Sequence, residues 1–382
     1  MPRREGDFAV ISTWTGMAAF GLFLGAAAGF VMHRSGYCLA AMFRDPFLFR
    51  DFFLLRTLLL LVVVSMLSFE GARRAGLLPF YPFPLLGPPS LANLAGGFLF
   101  GIGMVLAGGC VVGTLYKMGA GGLASGFAFL GLIAGSALYA EIHPAWARFA
   151  KAGSIPVGGV TVPIALGIDP LIPVLAVAGP SALLFARWNR EGKWTRNSPA
   201  RGYLQPWIAA LLLSAIGLAS YLAVGMPLGI TTSYAKIAAY LESAVFPDHV
   251  ARLAFFRAVP LDVRSPATGL LLRGGAGPVL DAIGAVQFPV VGGIVLGSAL
   301  SASLLGEFHV HRAVPASQRA IAFTGGTILG LASRMTPGCN VWHLLGGLPL
   351  LAFQSLLFLA GIVPGAWAGG RILLRLLAER RG

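Results

Sequence analysis

Charge is scarce in this 382-residue chain: 28 Lys and Arg and 14 Asp and Glu make up only 11% of it, where a soluble domain carries about 25%. A water-soluble fold of this size needs more polar cover than that, so one is excluded. Cysteine is nearly absent. Cys38, Cys110 and Cys339 stand alone with no CxxC spacing, which argues against a disulfide framework and a zinc site. The chain has no Walker A motif, no GxSxG and no GxGxxG opening a βαβ unit, so neither bound ATP nor any other cofactor is called for. His33, His309, His311 and His343 lack the spacing of a haem or metal pair, so no metal is expected and they are assigned surface or interfacial roles. The formal charge is +14, but the basic residues fall in short clusters between apolar spans. That is the pattern of juxtamembrane Lys and Arg, and it implies no nucleic-acid partner.

What the chain does have is apolar length, with 57% hydrophobic residues and a mean hydropathy of +0.80. Its runs lack period-2 alternation, so it reads as an all-α integral membrane protein in a lipid bilayer rather than a β-barrel. Nine runs approach the roughly 20 residues a spanning helix needs: 11–32, 53–69, 93–109, 122–140, 166–186, 206–225, 288–306, 321–335 and 351–374. Two of these, 53–69 and 321–335, are short. The first follows Arg3 and Arg4 but is about 22 residues long without a convincing cleavage site, so it is read as a span and not a leader. An odd count puts the basic loop Arg187, Arg190, Lys193, Arg196 and Arg201 on the same face as the tail Arg371, Arg375, Arg380 and Arg381. The positive-inside bias makes that face, with the C-terminus, cytoplasmic. Residues 225–287 mix Pro, Gly and charge around a helical-looking stretch, 234–253. They are expected outside the bilayer or at its surface, as a candidate gate or vestibule.

An internal repeat organises the rest. Gly96-Gly97 and Gly101, followed by Gly109-Cys110, align without a gap on Gly325-Gly326 and Gly330, followed by Gly338-Cys339, at a constant offset of 229 residues. A Gly-Gly-Leu and a further apolar span follow each copy. Under the nine-span count the two Gly-Cys turns enter from opposite faces, the inverted-repeat arrangement of many transporters. Gly25 precedes Cys38 by the same 13 residues that separate Gly97 from Cys110 and Gly326 from Cys339. The counterpart after the sixth span, 225–233, lacks cysteine but offers Thr231, Thr232 and Ser233. The expected organisation is a first repeat half at 1–140, a connecting helix and basic loop at 141–204, and a second half at 205–382.

Each cysteine segment is too short and glycine-rich to span, so it is expected to be re-entrant, lining protein or a water-filled cavity. Gly36, Gly109 and Gly338 permit sharp turns there, and N–H groups opening a half-helix favour an anion. A thiol is a weak donor and a soft contact, suited to sulfur or selenium and a poor match for a hard cation. A single cysteine is ordinarily a small buried hydrophobe, but three at repeat-related turns point to a pathway. Arg34, Arg44 and Arg50 rim the first turn, Lys117 follows the second and Arg334 precedes the third. Lys117 and Arg334 are the preferred anion contacts. Asp45 and Asp51 are expected in local pairs or helix caps.

The stretches Gly108-Gly109-Cys110-Val-Val-Gly113, Gly225-Met-Pro227-Leu-Gly229-Ile-Thr231, Gly306-Glu307-Phe308 and Pro337-Gly338-Cys339-Asn340 resemble the YeeE/YedE family of sulfur transporters, over about 16–374. The resemblance implies a bacterial inner-membrane permease for thiosulfate with an hourglass bundle and re-entrant segments. It also implies that Cys38, Cys110 and Cys339 pass the anion along by S–H···S contacts without covalent chemistry. Members related to YedE are linked to selenium, so a selenium species or another small sulfur anion is the alternative substrate. The chain departs from the family in lacking a glycine shortly after Cys38, and in carrying Trp342 and His343 after Asn340, where a narrowed inner mouth or altered selectivity is expected. A cytoplasmic sulfur-carrier protein or rhodanese is a candidate partner, docking near Arg187 to Arg201. A membrane thiol oxidoreductase is the competing enzyme reading, but it needs a resolving cysteine near each nucleophile, and none is evident.

Overall fold

The computed structural model describes residues 5–83, 87–198, 200, 202–310 and 313–378. Arg3, Arg4, Arg201, His311, Arg380 and Arg381 lie outside the described residues. The chain folds as α1 (Glu5–Ser35), α2 (Leu39–Leu48), α3 (Phe53–Arg74), α4 (Leu91–Leu106), α5 (Val111–Gly119), α6 (Leu123–Ala152), α7 (Val162–Leu166), α8 (Leu171–Arg190), α9 (Pro206–Val224), α10 (Thr231–Ser243), α11 (Pro247–Arg252), α12 (Ala254–Arg257), the strands β1 (Leu261–Arg264) and β2 (Leu271–Gly274), α13 (Ala282–Leu304), α14 (Ala316–Met335), a π-helical turn (Trp342–Gly347) and α15 (Phe353–Ala378). All nine apolar runs fall on helices. Among the described residues, eight helical segments are long and apolar enough to cross a membrane, and α14 is not one of them. α14 is 20 residues long and carries Gln318, Arg319, Thr324, Thr327 and Arg334. It is walled by α4 and α6, so it does not need an apolar surface against lipid. The protein is an all-α multi-pass membrane protein with one small hairpin, β1 against β2.

Glycine faces set the helix directions. Gly25 lies on Val290 and Gly29 on Ile294, so α1 and α13 run parallel. Gly97 lies on Phe358 and Gly101 on Ile362, making α4 parallel to α15, and Gly326 on Ala128 and Gly330 on Leu132 make α14 parallel to α6. At the centre, Gly96 meets Thr336, Gly103 meets Leu329 and Gly325 meets Ala107, so α4 and α14 are antiparallel. Lipid supplies no hydrophobic drive between helices, so close backbone approach through small residues is what holds such a bundle. Both α8 and α15 end on the face where α1 ends and α9 begins: Leu204 N–H donates to the carbonyl of Arg34, Arg196 pairs with Asp51 at 2.6 Å and Arg56 lies over Trp188. The opposite face gathers the ends of α3, α6, α9 and α14. There Arg74 pairs with Glu70 and Asp169, and Trp146 Nε1 donates to the carbonyl of Met335.

The 225–287 segment departs from its expected place. Its helix stops at Ser243 and its first half is core: Tyr234 is 2% exposed and Lys236 is fully buried. The Lys236 ammonium donates to the carbonyls of Gly277 and Val279 and pairs with Asp281 at 2.7 Å. An ammonium satisfied three times is compatible with burial, and it ties the loop before α13 down onto α10. Only the later part, from α11 through the hairpin, forms a cover.

A methyl at Gly131 would overlap the carbonyl of Phe323, whereas Gly126 on the same helix has open space. Gly131→Ala is therefore expected to lose about 1–3 kcal/mol, and Gly126→Ala almost nothing. Thermal unfolding of the two variants in detergent checks this, and equal melting temperatures would contradict the packing.

Candidate functional site

Three helices break at glycine and restart at cysteine. α1 ends in Gly36, with φ +60, and Tyr37 N–H closes back to the carbonyl of Met32. Cys38 then N-caps α2. α4 ends in Gly108, with φ +70, and Gly109 N–H bonds the carbonyl of Met104. Cys110 caps α5, its Sγ accepting from Gly113 N–H at 3.2 Å. Beyond α14, Gly338 N–H bonds the carbonyl of Ser333, and Cys339 and Asn340 open the turn that runs into Trp342–Gly347. The fourth restart follows Gly225, left-handed at φ +84, and begins at Thr231. Left-handed glycine terminates a helix without a Cβ penalty. At the N-cap, however, Ser, Thr, Asp or Asn would bond the free N–H groups better than a thiol. A thiol is thus the weaker choice of cap at these positions.

All three thiols are free and buried, with Cys110 fully covered, Cys339 1% exposed and Cys38 6% exposed. Cys110 is within electrostatic reach of both other cysteines and beside the Asn340 amide. Apart from its contact with the Cys110 thiol, neither the nitrogen nor the oxygen of that amide has a partner among the described residues, although Asn340 is fully buried, and the hydroxyls of Thr114 and Ser233 are unpaired there too. Buried polar groups are rarely left so. Lys117 Nζ donates to the carbonyl of Gly108 at 2.5 Å and sits 3.8 Å from Cys38 Sγ. The Cys339 thiol rests against the backbone N–H groups of Val341 and Trp342.

A cavity of about 510 Å³ opens on the face where α9 and α14 end. Thr231, Arg334, Gly338, Cys339, Trp342 and Gln287 line it, with a cover from Phe255, Pro260 and Gly275. No carboxylate is in its wall. Arg334 carries no ion pair among the described residues, and its Nε is buried without a partner.

The expected residues thus spread between the cavity and the opposite face. Thr231, Arg334, Gly338 and Cys339 share the cavity, Cys110 and Asn340 lie at the middle, and Lys117, Cys38 and Gly36 lie towards the opposite face, with Gly109 at the α4 break. Arg34 is occupied elsewhere, donating to Ser301 and the carbonyl of Gly202. Arg44 pairs with Asp45, and Asp51 accepts from Phe53 N–H, as local pairing and capping predict. Trp342 belongs to the cavity wall and not to the mouth on the tail's face. Gln287 and Thr114 were missed by the sequence reading. Gln287 was set at the end of the 225–287 segment, and its amide carried a signal only as a lone polar residue next to the run 288–306.

His343 is also not at a surface. It is fully buried and stacked on Phe358 with centroids 4.3 Å apart. Its Nε2 lies 2.8 Å from the carbonyl of Thr336, which can only accept, so Nε2–H donates and Nδ1 accepts from the Ser355 hydroxyl at 3.0 Å. This neutral ring braces the third break. His343→Ala is expected to cost about 3 kcal/mol, read as a fall of several degrees in melting temperature; an unchanged melting temperature would refute the brace. Among the described residues, no three His, Cys, Asp or Glu side chains group to hold a metal.

The thiosulfate transporter TsuA of Spirochaeta thermophila is 27% identical over 378 residues, covering 95% of this chain and 99% of its own. The thiosulfate transporter TsuA of Escherichia coli is 26% identical over 363 residues, covering 92% and 93%. The sulphur transport family matches residues 34–368, a span that holds all three Gly-to-Cys breaks, the cavity and Lys117, and the chain belongs to that family.

Proposed function

We propose that this protein is a permease that brings thiosulfate across the bacterial inner membrane through the route marked by Cys339, Cys110 and Cys38. The observation that carries the reading is the placement of Cys38 and Cys110 at N-caps of restarted helices and of Cys339 at the third restart in the cavity wall, with Cys110 within electrostatic reach of both others and Lys117 beside Cys38. The relatives named thiosulfate transporters support the substrate. A dianion entering an apolar bundle loses its water, and here the replacements are half-helix N–H groups, the Asn340 amide and the guanidinium of Arg334. Each thiol offers the terminal sulfur a weak S–H donor and a polarizable contact, weak enough for the anion to leave again. No S–S bond forms or breaks.

In the same reading, the halves 1–140 and 205–382, joined by 141–204, are inverted repeats. Supporting this, the α4–α15 pairing has its counterpart in α14–α6, and the α4–α14 contacts interchange when the halves are exchanged. The segments following Cys38, Cys110 and Cys339 are then re-entrant. The cavity faces outward, the C-terminal helix ends in the cytoplasm, and a sulfur-carrier protein or rhodanese receives the anion near Arg187 to Arg196.

The test is uptake of sulfane-labelled thiosulfate into cells lacking their other sulfate and thiosulfate importers. Cys110→Ala and Cys339→Ala are each expected to abolish uptake at normal membrane levels, and the serine variants to keep only a small residue, because serine retains a donor and loses the soft contact. Arg334→Gln is expected to raise the half-saturating concentration by about tenfold or more. Normal uptake by both alanine variants would discard the thiol route while keeping the permease. No uptake by well-inserted wild type, with selenite or another sulfur anion accumulating instead, would move the substrate to that alternative.

A further inference from the structure

Trp342 stands in the cavity wall with its indole N–H buried and, among the described residues, unpaired. The residue is 8% exposed, so solvent does not serve that group freely. Indole is a donor only, and its missing partner must therefore be an acceptor. The ring is fixed. Phe83 meets it edge-on with centroids 5.0 Å apart, and a Cβ on Gly338 would come within 2.5 Å of Trp342 Cδ1, the carbon next to the indole nitrogen. The Cδ1 edge of the ring thus lies over Gly338, next in sequence to Cys339, whose thiol rests against the backbone of the same turn. Arg334, with its own unpaired Nε, shares this cavity.

Building on the import reading above, we infer that Trp342 is a specificity-determining residue that binds the oxygen end of the incoming anion, leaving its terminal sulfur to meet Cys339. Oxygen carries the concentrated acceptor charge and pairs best with the N–H groups of Trp342 and Arg334. The larger, more polarizable sulfur suits the thiol. Two contacts of different chemistry on one turn give the anion a direction. An all-oxygen anion such as sulfate satisfies the donors and offers Cys339 nothing to pass on, so it binds in the cavity as an inhibitor and does not proceed.

Trp342→Phe keeps the ring and its contact with Phe83 and removes only the N–H. The measurement is concentration-dependent uptake of labelled thiosulfate with sulfate as competitor, in wild type, Trp342→Phe and Cys339→Ser. The half-saturating concentration is independent of how much protein reaches the membrane, so a poorly inserted variant is still informative. In Trp342→Phe, half-saturation for thiosulfate and the sulfate inhibition constant are both expected to rise about tenfold, the loss of one hydrogen bond to a charged group, with maximal uptake per inserted molecule retained. In Cys339→Ser, residual thiosulfate uptake falls while the sulfate inhibition constant stays put. Unchanged constants in Trp342→Phe, or a sulfate constant that moves in Cys339→Ser instead, would overturn the assignment, as would failure of sulfate to compete in wild type. A wild type that takes up no thiosulfate would instead defeat the import reading itself.

Discussion

Every backbone N–H and carbonyl in an apolar interior must find a partner, and the rest of this structure depends on that constraint. Continuous helices satisfy it automatically, so each place where a helix stops inside the bundle needs a specific local solution. Gly36, Gly108 and Gly225 close the preceding turn in the left-handed region, and Gly338 lets the backbone pass beneath Trp342. What remains is one set of N–H groups opening each new half-helix, aimed inwards with weak caps. A protein that only needed to stay folded would cap them with hydroxyls or carboxylates. Leaving them to cysteine, in a bundle whose unpaired buried groups among the described residues include Asn340, Thr114, Ser233, Gln287, Arg334 and Trp342, fits the anion route proposed above.

The distribution of charge follows from the same constraint. Carboxylates are kept at the two faces, in pairs such as Arg74 with Asp169 or Arg196 with Asp51, or spent on Lys236. Lys117 and Arg334 are the cations without carboxylate partners that reach the route, one near each end. Their long side chains extend along apolar surface while the charged heads stay in polar surroundings. In the proposed route an anion meets no like charge among the described residues of the cavity wall.

Much of this was legible from residue pattern alone. The nine runs became helices because a run of about 20 apolar residues has few alternatives in a bilayer, and the Gly-to-Cys spacing marked three of the breaks. Two features were hidden for physical reasons. α14 looked marginal because hydropathy measures suitability for lipid, and its neighbours are α4 and α6. The rest of α10 looked like surface because the segment mixes Pro, Gly and charge, although the Lys236 ammonium is matched by Asp281 and two carbonyls, while Thr231 and Thr232, read as a broken segment, face the cavity. His343 was misplaced for a similar reason: whether a histidine is buried depends on partners from distant chain segments, here Ser355 and a carbonyl at the break. The cavity wall itself comes from seven separate stretches of chain, and only the Gly225–Thr231 and Gly-Cys-Asn portions carried a recognisable pattern.

The parallel pairing of α1 with α13 also bears on how the chain is made. The glycine stripe of Gly21, Gly25 and Gly29 is among the first to enter the membrane, yet the helix that fills it is synthesised some 260 residues later. α4 waits similarly for α15, and α6 for α14. Early helices must therefore sit in lipid with their grooves open until the last third of the chain arrives, so the bundle closes late and all at once, and a truncated product leaves three unfilled small-residue faces for quality control to find.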